Sequence, residues 1–384
     1  MKKYTLLAAL TLCLCVLSST YTQAQTTNNN TIYACYHKTT GDLRKVSGPG
    51  QCKNTEVQIS WNTAGVPGPQ GPKGDKGDKG DKGDTGSQGP PGAGPNPLQV
   101  AILRWYQANQ AGISFATGSA PWEVAFDGSN IWVSNLGGGT VTKLRASDGT
   151  NLGSFAAGDS PVGIAFDGAN IWVANFGNGR VTKLRASDGT NLGSFPTGML
   201  PRGVAFDGSN IWVSNVGGGT VTKLRASDGM NLGSFAAGNN PAGIAFDGAN
   251  IWVANLAGNT VTKLRASDGT NLGSFTVGDD PRAVAFDGAN IWVANRSSGT
   301  VTKLRASDGT NLGSFPTGIF PDGIAFDGAN IWVANGGSGT VTKLRASDGT
   351  NLGSFPTDSA PHGVAFDGSN IWVANQLSGT VTKH

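Results

Sequence analysis

The hydrophobic pattern of residues 121–384 repeats every 40 residues. One copy, residues 161–200, reads PVGIAFDGANIWVANFGNGRVTKLRASDGTNLGSFPTGML. Seven copies begin at Pro121, Pro161, Pro201, Pro241, Pro281, Pro321 and Pro361. Within a copy, short apolar runs alternate with turn residues. In the first copy the runs 123–126, 130–134, 140–146 and 152–155 each have the length of a β-strand. Asp127-Gly128 and Asp148-Gly149 separate them. Aspartate-glycine between apolar runs is a strong hairpin signal, because glycine supplies the positive φ that the turn needs. Ile131-Trp132-Val133 is apolar on both faces, as expected of a strand packed between two sheets. Four short strands in each of seven units predict an all-β, seven-bladed β-propeller of four-stranded blades.

The ends of the pattern predict how the ring closes. The seventh unit stops at Val381-Thr382-Lys383-His384, after its third strand. Ser114-Phe115-Ala116-Thr117-Gly118, just before the first unit, matches Ser154-Phe155-Ala156-Ala157-Gly158. This N-terminal strand is expected to complete the seventh blade, which would leave no sheet with an unpaired edge at the seam. The propeller then spans residues 112–384.

Upstream the pattern changes three times. Residues 1–24 have a secretory leader's basic start (Lys2, Lys3), a short apolar run and small residues before a cut after Ala24. Residues 25–64 contain alternating runs around Tyr33 and Ile59 and read as a small β-rich domain. Cys35 and Cys52 are the only cysteines beyond the leader, and in an exported chain they suit a disulfide, within one chain or between chains. Residues 65–94 are collagen-like: GVP GPQ GPK GDK GDK GDK GDT GSQ GPP, with Gly92 opening a further triplet. Glycine at every third position is what three wound chains require at their common axis. This predicts a homotrimer on a rod of about 80 Å, at roughly 3 Å per residue; a flexible Gly/Pro linker is the other reading. Residues 95–111 suit a short helix capped by Asn96, with Leu98, Ile102 and Trp105 on one face. It would serve either as a neck for the trimer or as an element docked on the ring.

Charge excludes some partners. The formal net charge is +3, and losing Lys2 and Lys3 with the leader leaves +1. That balance argues against a nucleic-acid surface. No later apolar run is long enough for a membrane span, so a secreted, surface or periplasmic location is expected.

The repeat motif Gly203-Val204-Ala205-Phe206-Asp207-Gly208, followed by Ile211-Trp212-Val213, resembles YVTN- and NHL-type propellers of virginiamycin B lyase-like or gluconolactonase-like cast. The resemblance covers residues 112–384 and implies the fold. The upstream part is similar to bacterial exported collagen-like proteins. Lyases of this kind use histidine and acidic residues at the mouth of the central channel, so the resemblance admits catalysis there, with a divalent metal under that alternative only.

Comparing the copies with one another locates candidate chemistry. The Asp-Gly turns and the Val-Thr-Lys-Leu-Arg strand barely change. The residues around each leading proline and after each Ile-Trp-Val do change, and propeller topology places both variable loops on one face. The residue after each proline runs Trp122, Val162, Arg202, Ala242, Arg282, Asp322, His362. Asp322, His362 and Glu123, on neighbouring blades once the ring closes, are expected to converge as candidate catalytic groups. Trp122, Arg202, Arg282, Arg296, Phe320 and Leu200 are candidate ligand-binding residues, the arginines on a separate arc suited to an anion. The seven repeated tryptophans, such as Trp132, are expected to pack between blades. Repeated Lys143 and Arg145 are expected to face water. Together these features predict an exported binding protein for an extracellular protein or glycan, with no cofactor; the alternative is a propeller enzyme of lyase or lactonase type.

Overall fold

The structure is a computed structural model, and it describes residues 31–37, 43–46, 51–54, 56–62 and 112–384. The expected leader, collagen-like tract and neck helix all lie outside the described residues.

The chain divides into two compact units, 1–107 and 108–384. In the first, the strand Thr31–His37 pairs antiparallel with both Leu43–Val46 and Glu56–Asn62, opposing Tyr33 to Val46 and Ile32 to Trp61. Cys35 lies on the central strand, and Cys52 lies in the segment 51–54.

The second unit contains seven four-stranded antiparallel sheets. The first is Pro121–Phe126, Asn130–Asn135, Thr140–Arg145 and Asn151–Ala156. In the seventh sheet, Pro361–Phe366, Ile371–Asn375 and Thr380–Lys383 are joined by Ile113–Ala116 as the outer strand. Its register opposes Lys383 to Ile113 and Val381 to Phe115. The ring therefore closes through the N-terminal strand, as the matching sequence of that strand implied.

The core lies between blades. Trp132 and Val141 of the first blade pack against Ile164, Ile171, Val173 and Leu184 of the second. The second strand is buried on both faces because a blade lies on each side of it. Six of the seven repeated tryptophans are fully buried. A buried indole N–H needs an acceptor, and the turn aspartate provides one: Trp132 Nε1 donates to Asp127 Oδ2 at 2.8 Å. Asp127 also accepts from the backbone N–H groups of Ser129 and Asn130. One residue thus forms the turn and satisfies the core, which accounts for its near-constancy across the copies.

Lys143 does not face water. It is 7% exposed, and its Nζ donates to Ala186 O at 2.7 Å and Ser187 O at 3.1 Å on the next blade. The ammonium lies 5.0 Å from the Trp132 ring centroid. The pleat puts this side chain on the face of Val141, toward the next blade, and that blade's turn covers it and supplies the acceptors. Equivalent contacts recur at Lys183, Lys223, Lys263 and Lys303, and Lys383 joins blade seven to Ala146 and Ser147 of blade one. Arg145 is exposed as expected and pairs with Asp148 at 2.9 Å.

One interface departs from this pattern. Blade seven borrows its outer strand from the N-terminal side, so no turn joins its third and fourth strands. Lys343 of blade six has no hydrogen-bond acceptor among the described residues. Trp332 beside it is 8% exposed, and Phe355 is 38% exposed. Elsewhere the equivalent phenylalanine ring rests on the next blade's turn glycine, as Phe315 does on Gly349.

Candidate functional site

The variable loops share one face. The loop before each first strand bonds to the loop after the second: Leu136 N donates to Ala120 O at 2.9 Å, and Gly137 N to Ser119 O at 3.0 Å. On the opposite face the two Asp-Gly turns bond to each other, Ala146 N donating to Ser129 O at 3.1 Å. The residue before each leading proline is left-handed, from φ 52° at Ala120 to 56° at Phe320. Leucine or phenylalanine is strained in that region. Leu200 and Phe320 hold it nonetheless, and they are 37% and 44% exposed on the rim.

The innermost strands carry the site. In the first blade Pro121 opposes Asn135 and Val124 opposes Val133, with a register shift between. Such a bulge re-aims side chains. Trp122 and Glu123 lie in it, and the central cavity is lined by both. Equivalent shifts occur in the other blades, including those of Arg202, Asp322 and His362. Most copies have glycine after the variable residue because the inner strands nearly touch. A Cβ on Gly323 would come within 2.1 Å of His362 O. Blade one is different, because Glu123 occupies that position and places a carboxyl group beside Gly363.

A cavity of about 170 Å³ results. Trp122, Glu123, Arg202, Arg282, Asp322 and His362 line it. The sequence comparison separates the acidic and histidine group from the arginines, whereas here Arg202 and Arg282 share the cavity with them. The channel is too narrow to keep long side chains on opposite arcs apart. Arg296 stands behind this ring, with its Nε 3.4 Å from Asp322 Oδ1 and its guanidinium 4.6 Å from the Phe320 ring centroid. Arg282 Nη2 bonds to Asp280 Oδ2 at 2.9 Å. The rings of Trp122 and His362 lie 3.7 Å apart, tilted by 37°.

Burial sets the protonation states. It raises the Glu123 carboxyl to about 7, and only part of the effect is offset by the Val124 N–H and by Arg202. Burial, reinforced by Arg202, Arg282 and Arg296, lowers His362 well below the usual imidazole range. Its Nε2 is 3.9 Å from Asp322 Oδ1, beyond hydrogen-bond reach. Burial also raises Asp322, against the pull of Arg296, Arg282 and Arg202. Arg202 falls to about 10 through burial and repulsion from Arg282. Among the described residues no three His, Cys, Asp or Glu side chains sit close enough to hold a metal ion. Glu123, Asp322 and His362 therefore share a cavity without forming a metal-ligand set.

The fold and this channel define the class: a seven-bladed β-propeller with a charged central cavity. Among solved structures, the chain is similar to a hydrazine synthase of Kuenenia stuttgartiensis (TM-score 0.62, 19% identity, covering 69% of this chain and 95% of that one). It is also similar to a streptogramin B lyase (TM-score 0.59, 18% identity, covering 70% of this chain and 95% of that one). At these identities the likeness shows the fold alone. No family profile and no curated protein matches the chain.

Proposed function

We propose that this chain is an exported binding protein whose propeller presents its variable face on a trimeric collagen-like stalk. The observation that carries this reading is the confinement of variation. Seven nearly identical blades repeat their Asp-Gly turns after the first strand and their tryptophans, and six of them the lysine contact, yet the variation gathers on one face and in the ring below it. Exposed Leu200 and Phe320 on the rim are apolar contact points for an extracellular protein or glycan. Three faces on one stalk would add avidity to weak single sites. A Cys35–Cys52 disulfide in the small N-terminal domain belongs to the same proposal.

The test uses the full chain without its leader. Chemical crosslinking is expected to give trimers, and a monomer would remove the stalk. On glycan and protein arrays, binding is expected to fall in a Leu200→Ser/Phe320→Ser double variant with an unchanged melting temperature. Array binding that the double variant retains in full would overturn rim recognition.

A second reading is a lyase or lactonase acting at the channel mouth. One observation favours it: a buried carboxyl raised to about 7 can exchange a proton near neutrality. Turnover of a lactone panel by the full chain, abolished by Glu123→Gln, would support it. Turnover unaffected by that substitution would exclude Glu123 as the acid or base.

A further inference from the structure

We propose that the central cavity is a binding site for a small organic carboxylate, held by Arg202 with Arg282 beside it. This deepens the binding reading above and rests on it.

The charges around the cavity do not cancel in pairs. Arg282 is bonded to Asp280, and Arg296 stands against Asp322. Arg202, on the blade between Glu123 and these pairs, has no hydrogen-bond or ion-pair partner among the described residues. It lies 5.7 Å from the Trp122 ring centroid and lines the cavity. Half-buried on the cavity wall, this guanidinium loses part of its hydration without gaining an acceptor, which is costly. Placing a second guanidinium near it raises the cost further, and an anion between them would offset both. A buried donor without a partner points the same way: Arg282 Nε is unused. The Asp322 carboxylate, an acceptor, faces Arg296 instead.

The walls describe the rest of the ligand. Ile164, Val204, Ile244, Val284 and Ile324 also line the cavity. A volume of about 170 Å³ admits a molecule the size of benzoate or butyrate. The site therefore suits a carboxylate on an apolar body, with the carboxylate at the arginines and the body against the aliphatic ring. Arginine favours such planar, two-oxygen acceptors.

Glu123 is the internal competitor. Arg202 and Asp322 act on its carboxyl across the cavity that His362 also lines, Gly363 lies beside it, and Val124 N–H donates to it. Neutral Glu123 leaves the charge of Arg202 to a ligand, whereas ionised Glu123 puts a negative charge into the same cavity, where it repels a carboxylate. Affinity for a carboxylate is therefore expected to fall as pH rises through about 7.

The experiment is isothermal titration calorimetry of the full chain at constant ionic strength, with sodium benzoate, benzamide and inorganic phosphate as probes. At pH 6 benzoate is expected to bind at least tenfold more tightly than benzamide or phosphate. Arg202→Met is expected to abolish that preference. From pH 6 to pH 8 the wild type is expected to lose affinity severalfold while Glu123→Gln does not. Benzoate binding no tighter than benzamide would overturn the proposal, and so would an intact preference in Arg202→Met. Phosphate binding in place of benzoate would also overturn it, because it leaves the aliphatic wall without a role. The same proteins on the arrays separate the two readings. Rim binding that persists in Arg202→Met, with no benzoate preference in the wild type, would sink the carboxylate site and leave rim recognition standing.

Discussion

Replacing Lys223 by methionine tests the inter-blade contact directly. Lys223 Nζ donates to Ala266 O at 2.7 Å and to Ser267 O at 3.1 Å, and lies 5.0 Å from the Trp212 ring centroid. Methionine keeps most of the stem's volume but removes the ammonium. The loss comprises charge-assisted hydrogen bonds worth about 1.5–3 kcal/mol and two carbonyls left short of a donor. Relief from burying the charge offsets part of it. A net cost of about 2 kcal/mol is expected, which lowers the melting temperature by roughly 4–8 °C for a domain of this size. Lys343→Met is the internal control. The side chain is the same, on the same strand of a nearly identical blade, over an equivalent tryptophan at 4.8 Å. It lacks the carbonyl partners, so a shift within about 1 °C is expected. Differential scanning calorimetry of the two variants beside the wild type decides. Equal shifts would refute the reasoning, because they would assign the lysine's value to its stem or to the tryptophan rather than to the next blade's carbonyls.

Two further outcomes follow from the geometry. Deleting residues 113–117 removes the outer strand of blade seven and exposes the edge of Thr380–Lys383. Unfolding or self-association is expected by size-exclusion chromatography and calorimetry, and unchanged melting of a monomeric propeller would contradict strand closure. Glu123 is raised from 4.5 to about 7, so its neutral form favours the folded state. Its stabilising effect is complete below the unfolded value and is lost as pH rises through about 7. Glu123→Gln should therefore match the wild type near pH 4 and melt above it at pH 8; identical melting at both pH values would show that the carboxyl is not held neutral.

Most of the ring was legible in the repeat, because each blade is built from local signals. Asp127-Gly128 specifies a hairpin through the backbone preferences of two residues, and Ile131-Trp132-Val133 declares a strand buried on both faces. Closure by Ile113–Ala116 was legible too, since that strand carries the same residues as the outer strand it replaces. That Asp322, His362 and Glu123 line one channel followed from ring topology and the two positions after each leading proline.

What the sequence determined by itself is therefore everything that repeats at short range: the strands, the turns, the number of blades and the face on which they vary. Tertiary structure alone decided three things. Lys143 is buried because a turn 43 residues further on brings Ala186 O over it, and nothing local to the strand records that. Arg202 and Arg282 share a cavity with Glu123 because ring closure and the bulged inner strands bring all three to the wall of one channel. The interface between blades six and seven is incomplete because the strand that closes the ring arrives without the turn that Lys343 and Phe355 would have met. In each case the deciding partner lies on another blade, at a distance set by ring geometry rather than by the residues next in the chain.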